Sequence, residues 1–251
     1  MTSDKSLSGS VALVTGASSG IGAATARRLA REGVAVALVA RRRDRLDQVV
    51  AEIAGRDGHA VAVPADITDP EHADRAVDQT LDRFGRLDIL VNNAGIMLLG
   101  TALHAMLSEW DRMISINVSA LLHITHAAVP YLIDAASTAP RQVADIVNIS
   151  STAGRVARPG ASVYHFTKFG LNGFSESLRQ ELLGERVRVS VVEPGFVDTE
   201  LARNLGEAAR PAADVEALRA DDIADAVAYI VSRERRVAVN EMLVRAAEQT
   251  W

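Results

Sequence analysis

Seven short apolar runs punctuate the chain, and longer stretches of mixed polar and apolar residues separate them. The runs are 11–14, 34–39, 60–63, 89–91, 145–149, 188–192 and 241–244, rich in Val and Ile. Several are apolar throughout, which is the pattern of strands buried on both faces and not of half-exposed strands. The intervals are long enough for helices, for example 23–29 and 112–133. Buried strands alternating with helices predict an α/β fold, a doubly wound, mostly parallel sheet of seven strands with helices on both faces. No Pro/Ser-rich linker or internal repeat divides the 251 residues, so residues 1–251 read as one domain. The interval 196–215, with Asn204-Leu205-Gly206 and Pro211 inside it, is loop-like at both ends and reads as a substrate lid.

The first run ends in Thr15-Gly16-Ala17-Ser18-Ser19-Gly20-Ile21-Gly22 and passes directly into a helical pattern. Glycines in a strand-to-helix turn permit a tight bend and close approach of backbone to a pyrophosphate, which the helix N-terminus attracts. In this context Gly16, Ser18, Ser19, Gly20, Ile21 and Gly22 read as a dinucleotide-binding loop of Rossmann type. There is no Gly-Lys-Ser/Thr ending, which disfavours an ATP-type loop. An acid at the end of the second strand would bind the ribose 2′-hydroxyl of NAD and repel a 2′-phosphate. The chain instead has Ala40-Arg41-Arg42 there. Arg41, nineteen residues after Gly22, offers a charge-assisted partner for a phosphate, with Arg42 beside it, and this favours NADP(H). Arg43 reads as a solvated strand end.

Tyr164 and Lys168 stand four apart in a helical stretch, so they share one face, and Ser151 precedes the tyrosine by thirteen positions. A nearby ammonium favours the phenolate and brings a group that titrates near pH ~10 toward useful proton transfer. Ser150 competes with Ser151, but strand alternation points it away. His165 adjoins the tyrosine yet faces about 100° away on the helix and receives no role. His123 and His126 lack an accompanying carboxylate, so no metal site is read. Asp88 and Asn93 read as structural rather than catalytic.

Composition narrows the classes further. The chain is 48% hydrophobic and 24% charged with net charge -5, which suits a globular core and offers no nucleic-acid or anionic-membrane footprint. It contains no cysteine, so disulfides and thiolate catalysis are excluded. No apolar run approaches the ~18 residues of a membrane span, and the polar start shows no leader. The expected location is cytoplasmic.

These motifs together resemble the short-chain dehydrogenase/reductase family, from about Gly9 to the C-terminus. The glycine loop and Asn92-Asn93-Ala94-Gly95 match two of its signatures. The resemblance implies that Asn117, Ser151, Tyr164 and Lys168 are a catalytic tetrad. Tyr164 is then the general acid, Lys168 its activator and holder of the nicotinamide ribose, Ser151 the group that orients the substrate oxygen, and Asn117 the support of a proton-relay water. It further implies that Asp66 and Ile67 contact adenine, that Asn93, Ala94 and Gly95 line the cofactor, and that Pro194, Gly195, Val197 and Thr199 hold the nicotinamide. The implied activity is NADPH-dependent reduction of a ketone or aldehyde by a homodimer or homotetramer. The ending 239–249, with 93–100 and 194–201, looks most like ketoreductases of bacterial secondary metabolism, including antibiotic biosynthesis. Residues Ile96 to Leu99 and Phe196 suit one wall of an apolar substrate pocket, and Trp110 and Trp251 are further candidates for it. Two alternatives share the scaffold: an epimerase or dehydratase, and a non-catalytic NADP-sensing protein.

Overall fold

The computed structural model describes residues 7–205 and 216–250. All seven apolar runs are strands: β1 Val11–Thr15, β2 Ala35–Ala40, β3 Ala60–Pro64, β4 Ile89–Asn92, β5 Ala144–Ile149, β6 Val187–Pro194 and β7 Glu241–Val244. They form one sheet in the order β3-β2-β1-β4-β5-β6-β7, parallel at every pairing. Five strands run past these apolar runs at the carboxyl end, where the ladder continues to Thr15, Ala40, Pro64, Asn92 and Pro194.

The apolar runs have a simple structural cause. Alternate residues of one strand enter two different cores. Ala12 and Val14 of β1, Val36 and Leu38 of β2 and Ile89 and Val91 of β4 pack into one core. Leu13, Ala37, Val39 and Leu90, from the same strands, pack into the other. Neither face meets water, so neither face can be polar. Helices α1 Gly20–Arg31, α2 Arg43–Ala54 and α8 Ala220–Val231 cover the first core. Helices α3 Pro70–Phe84 and α5 Ala120–Thr138, with the C-terminal end of α6 Ser162–Glu181, cover the second. Local chemistry sets the helix limits. At the start of α3, Asp69 accepts from the Glu71 N–H at 2.9 Å with Pro70 in the first turn, and Gly85 at φ 78° ends it.

Helix α4 Leu107–Ile114 runs through a widened turn, Ser115–Ser119, into α5, giving 32 continuous helical residues. By length and composition this stretch passes as a membrane span, which corrects the sequence-based expectation that nothing in the chain does. The scattered polar residues Ser119, His123 and His126 break the apolar run in the sequence, and the charged residues of the stretch, Glu109, Asp111, Arg112 and Asp134, lie toward its two ends. In the fold it is a core helix: Ala120, Ile124, Ala128 and Leu132 are buried against the sheet and α3.

The site lies where the topology reverses. From β1 the chain steps outward through β2 to β3, then returns to β4 on the other side of β1. The connections leaving the carboxyl ends of β1 and β4 diverge, and the crevice between them is the binding position of such sheets. The interval predicted as a lid is more ordered at its start than its composition suggested. Val197 bridges Leu218 in parallel register, and helix α7 Glu200–Asn204 follows with Thr199 as its cap. A Thr hydroxyl accepting from the Ala202 N–H starts a helix that propensity alone does not reveal. The remainder of that interval, 206–215, and Trp251 lie outside the described residues.

Candidate active site

The crevice is a cleft of about 460 Å³ running from the ends of β2 and β3 to α6. At its floor the glycine loop turns tightly. Gly16 has φ 65°, and a Cβ on Gly22 would fall 2.5 Å from both the Gly16 carbonyl and the Asn93 amide nitrogen. Side chains larger than hydrogen therefore do not fit at either place. Thr15 clamps this floor: its hydroxyl accepts from the N–H groups of Asn93 and Ala94, both at 3.0 Å. Asn93 returns the tie by donating from its side-chain amide to the Thr15 carbonyl at 2.9 Å. Asn93 is thus both structural, as expected, and part of the cleft lining with Ala94 and Gly95. Thr15 was missed because in the sequence it is only the polar end of an apolar strand.

At the outer end, Ser18, Ser19, Ile21, Arg41, Arg42, Asp66 and Ile67 line the cleft. Arg41 extends toward solvent, 61% exposed, with its guanidinium 4.0 Å from the Asp66 carboxylate. Burial pushes the Asp66 carboxyl up, but hydrogen bonds from the Thr68 hydroxyl and N–H, with the Arg41 charge, leave it below its usual range. Arg42 folds inward over the loop, donating to Ser18 and Ser19 and pairing with Glu200. The Arg42–Glu200 contact joins residues 158 apart, and no local pattern announces it.

At the inner end, Ser151, Tyr164 and Lys168 converge as their spacing predicts. Tyr164 is buried in an apolar cluster with Met113, Ala161, Trp110 and residues Ile96 to Leu99. Of these, Ile96 and Met97 reach the cleft, where Phe196 joins them. Lys168 sits 5.8 Å from the centre of the Tyr164 ring and donates to the Ile149 carbonyl at 2.8 Å. Ser151 lies close enough to the phenol to favour its ionised form, and Ser150, which also borders the cleft, donates its hydroxyl to Asn172 at 2.7 Å. One expectation is reversed in this state of the molecule. The ammonium was expected to bring the phenol down, yet burial pushes Tyr164 above its ordinary value and only the Ser151 hydrogen bond opposes it. Desolvation penalises the phenolate more than a cation several ångströms away rewards it.

Burial also lowers the Lys168 ammonium, to about 8. The unfolded chain holds this proton to about pH 10.4, so between the two values the folded state binds fewer protons and gains stability as pH rises. Below pH 8 the buried charge is a full penalty, partly offset by its bond to Ile149. We therefore expect Lys168→Met to raise stability at pH 7 by roughly 1–3 kcal/mol, since each tenfold loss of proton affinity on folding is worth about 1.4 kcal/mol. The gain over wild type should shrink between pH 8 and 10.5, in denaturant melts of both proteins. A destabilised variant at pH 7 contradicts this account.

Asn117 lies in the widened turn between α4 and α5, buried. Its amide binds both backbone groups of one residue, accepting from the Ile96 N–H and donating to the Ile96 carbonyl, each at 2.8 Å. It pins the irregular segment after β4 that carries the apolar wall, and its oxygen has capacity for a second donor such as a water. On the opposite wall, the Gly195 N–H donates to Val244, and Pro194, Val197 and Thr199 complete the lining. His165, given no role from sequence, is a strap: it accepts from the Arg158 N–H at 3.0 Å and its other ring nitrogen meets the Ala153 carbonyl at 2.9 Å. Asp88 is structural, accepting from the Val11 N–H and from Arg86. Among the described residues no group of His, Cys, Asp and Glu is placed to hold a metal.

Comparison with known proteins agrees with this geometry. The short chain dehydrogenase family profile matches residues 10–210. Serine 3-dehydrogenase of Agrobacterium fabrum is 38% identical over 254 residues, covering 98% of this chain and 96% of its own. A 3-ketoacyl-(acyl-carrier-protein) reductase from Brucella melitensis, solved with NADH, superposes with a TM-score of 0.86 at 32% identity, over 95% of this chain and 97% of that one. A short chain dehydrogenase from Burkholderia cenocepacia, solved with NADP, gives 0.85 at 35% identity with the same coverage, 95% and 97%. The chain belongs to the short-chain dehydrogenase family and is an oxidoreductase of the CH-OH/C=O class.

Proposed function

We propose that this protein binds NADP(H) along the cleft and reduces a ketone or aldehyde at its inner end. The observation that carries the reading is the placement of a buried, hydrogen-bonded phenol and ammonium at one end of a cleft whose other end presents a glycine loop and two arginines. The residues fit the dinucleotide along its length. Gly16 to Gly22 would hold the pyrophosphate, Arg41 and Arg42 the 2′-phosphate, and Asp66 and Ile67 the adenine. Asn93 to Gly95, Pro194 to Thr199 and Lys168 would hold the nicotinamide side. When bound, the cofactor supplies the hydride. The protein's own part is proton chemistry and orientation. Tyr164 keeps its proton at neutral pH because its environment is dry, and a phenol that keeps its proton is suited to give it up to a strongly basic developing alkoxide. Ser151 donates to the same oxygen and aligns it. Lys168, charged below about pH 8, stabilises the phenolate left behind.

The wall of Ile96, Met97 and Phe196 supports an apolar or ring-bearing substrate, consistent with the resemblance to bacterial secondary-metabolism ketoreductases. The segment 196–215 is the proposed lid. The name of the Agrobacterium relative raises a second substrate class, a small hydroxy amino acid, which an apolar wall disfavours. Following nicotinamide absorbance with a ketone panel, and with L-serine in the oxidative direction, separates the two. Saturable NADPH binding without turnover of any carbonyl would overturn the enzymatic reading. We also read the protein as a homodimer or homotetramer, supported by the exposed Phe166 and Phe169 on α6 and Leu122 and Tyr131 on α5. A monomer mass in sedimentation would remove that part.

The cofactor assignment has its own test. Arg41→Ala is expected to weaken NADP(H) by about ten-fold, the worth of one charge-assisted phosphate contact, and NAD(H) by less than about two-fold. Equal losses for both would refute the phosphate role.

A further inference from the structure

Arg42 is already engaged. Its guanidinium presents two flat edges that can grip an oxyanion, and both meet partners from within the protein. One edge meets the Glu200 carboxylate, Nη1 at 2.8 Å from Oε1 and Nη2 at 3.0 Å from Oε2. The other edge meets the glycine loop: Nε and Nη2 lie 3.3 and 3.1 Å from the Ser18 hydroxyl, and Nη2 is 2.9 Å from that of Ser19. These partners differ in what they would do to an incoming phosphate. A serine hydroxyl rotates and donates to it. A carboxylate has nothing to donate and repels a dianion on the same edge. Glu200 stays charged at any physiological pH, since the Arg42 and Ser19 hydrogen bonds hold it down to about 2.

We propose that Glu200 is a specificity-determining residue: it occupies the fork of Arg42 that a 2′-phosphate needs, so NADP(H) binds only by displacing it, while NAD(H), which has no such phosphate, does not. This rests on the reading of the cleft as an NADP(H) site. Glu200 acts against the preference that Arg41 and Arg42 create and sets how large that preference becomes. Displacement is local. Glu200 is the first residue of α7, and a second hollow on its other side is lined by Arg27, Arg45 and Arg203 as well as Asp198 and Asp221. Arg27 and Arg203 are already paired with Glu52 and Asp198, but Arg45 acts on the Glu200 charge and gives the displaced carboxylate a cation to turn toward. Both side chains of the pair are about two-fifths exposed, 40% and 43%, which places the contact in the range of a modest, exchangeable ion pair.

The test is calorimetric titration of the purified protein with NADP+ and with NAD+, reading dissociation constants with no turnover involved. Glu200→Gln keeps the shape and the cap of α7 but removes the charge. It is expected to tighten NADP+ by about three- to ten-fold, the scale of one exposed ion pair plus one like-charge repulsion, and to leave NAD+ within about two-fold. The effect must run through Arg42: in an Arg42→Ala background the same substitution should change NADP+ affinity by less than about two-fold. Equal tightening of both dinucleotides, or an undiminished effect without Arg42, overturns the proposal in favour of a change in α7 itself. Unchanged affinity in Glu200→Gln also overturns it. Should the wild type bind neither dinucleotide, the cofactor reading fails first, and that result is distinct from the others.

Discussion

Tyr164→Phe should lower turnover of any accepted carbonyl by about 10³-fold, the scale of a lost general acid, with NADP+ affinity within about two-fold of wild type. The substitution removes one oxygen and keeps the ring. That ring packs with Met113, Ala161, Trp110 and Ile96, and lies edge-on to His165 at 6.4 Å between centroids. Apolar packing is thus preserved, and what is lost is the proton donor and its bond to Ser151. The separation of rate from binding is the informative part. A phenol that merely closed the cleft would, when truncated, loosen the cofactor and spare the rate. A residual rate within about ten-fold of wild type would mean that the proton comes from elsewhere. Cofactor affinity by calorimetry and rate by nicotinamide absorbance, on one preparation, decide between these outcomes.

The largest stability effect is expected far from the cleft, at Arg188→Leu, with a loss of about 3–5 kcal/mol in urea or thermal unfolding. Arg188, the second residue of β6, is almost fully buried and forks onto Asp145 of β5, with Nε at 2.7 Å and Nη2 at 3.0 Å from its two oxygens. Its remaining N–H groups donate to the carbonyls of Val231, Arg233, Glu234 and Val237. One side chain therefore ends α8 and anchors the turn that leads to β7. Leucine fills part of the space but leaves the Asp145 carboxylate with Arg141 alone and strips four carbonyls of a donor. Arg188→Lys should recover less than half of the loss, since an ammonium cannot reproduce the fork. A loss below about 1 kcal/mol for the leucine variant would show that water replaces the guanidinium at little cost.

The fold was legible because its physics is periodic. A parallel sheet covered on both faces demands strands apolar on both sides, and the runs 11–14 and 89–91 show this without any partner in view. The floor of the site was legible for a related reason: Gly16 and Gly22 stand where backbone approaches backbone, and Tyr164 and Lys168 share a helical turn, so spacing along the chain is also spacing in space. The choice of Ser151 over Ser150 rested on the thirteen-residue spacing to Tyr164 together with strand alternation.

Where sequence reasoning stopped short, the missing contribution came from residues far apart in the chain. The helical stretch 112–133 was legible as one helix, but its full 32 residues and their membrane-span length were not, because the burial of this helix depends on α3 and the sheet and not on its own composition. The direction of the Tyr164 shift depends on how much water the apolar cluster excludes, a property of the packed cluster that outweighs the helical neighbour at 5.8 Å. By itself the sequence determined the doubly wound sheet, the glycine loop, the polar cluster of Ser151, Tyr164 and Lys168 and the basic end of β2. Only the tertiary structure decided that Arg42 is held by Glu200, that Thr15 joins β1 to β4, and that Asn117 pins Ile96. The first group follows from local periodicity and backbone sterics, which any short window carries. The second consists of hydrogen bonds between segments that meet only after the chain has folded.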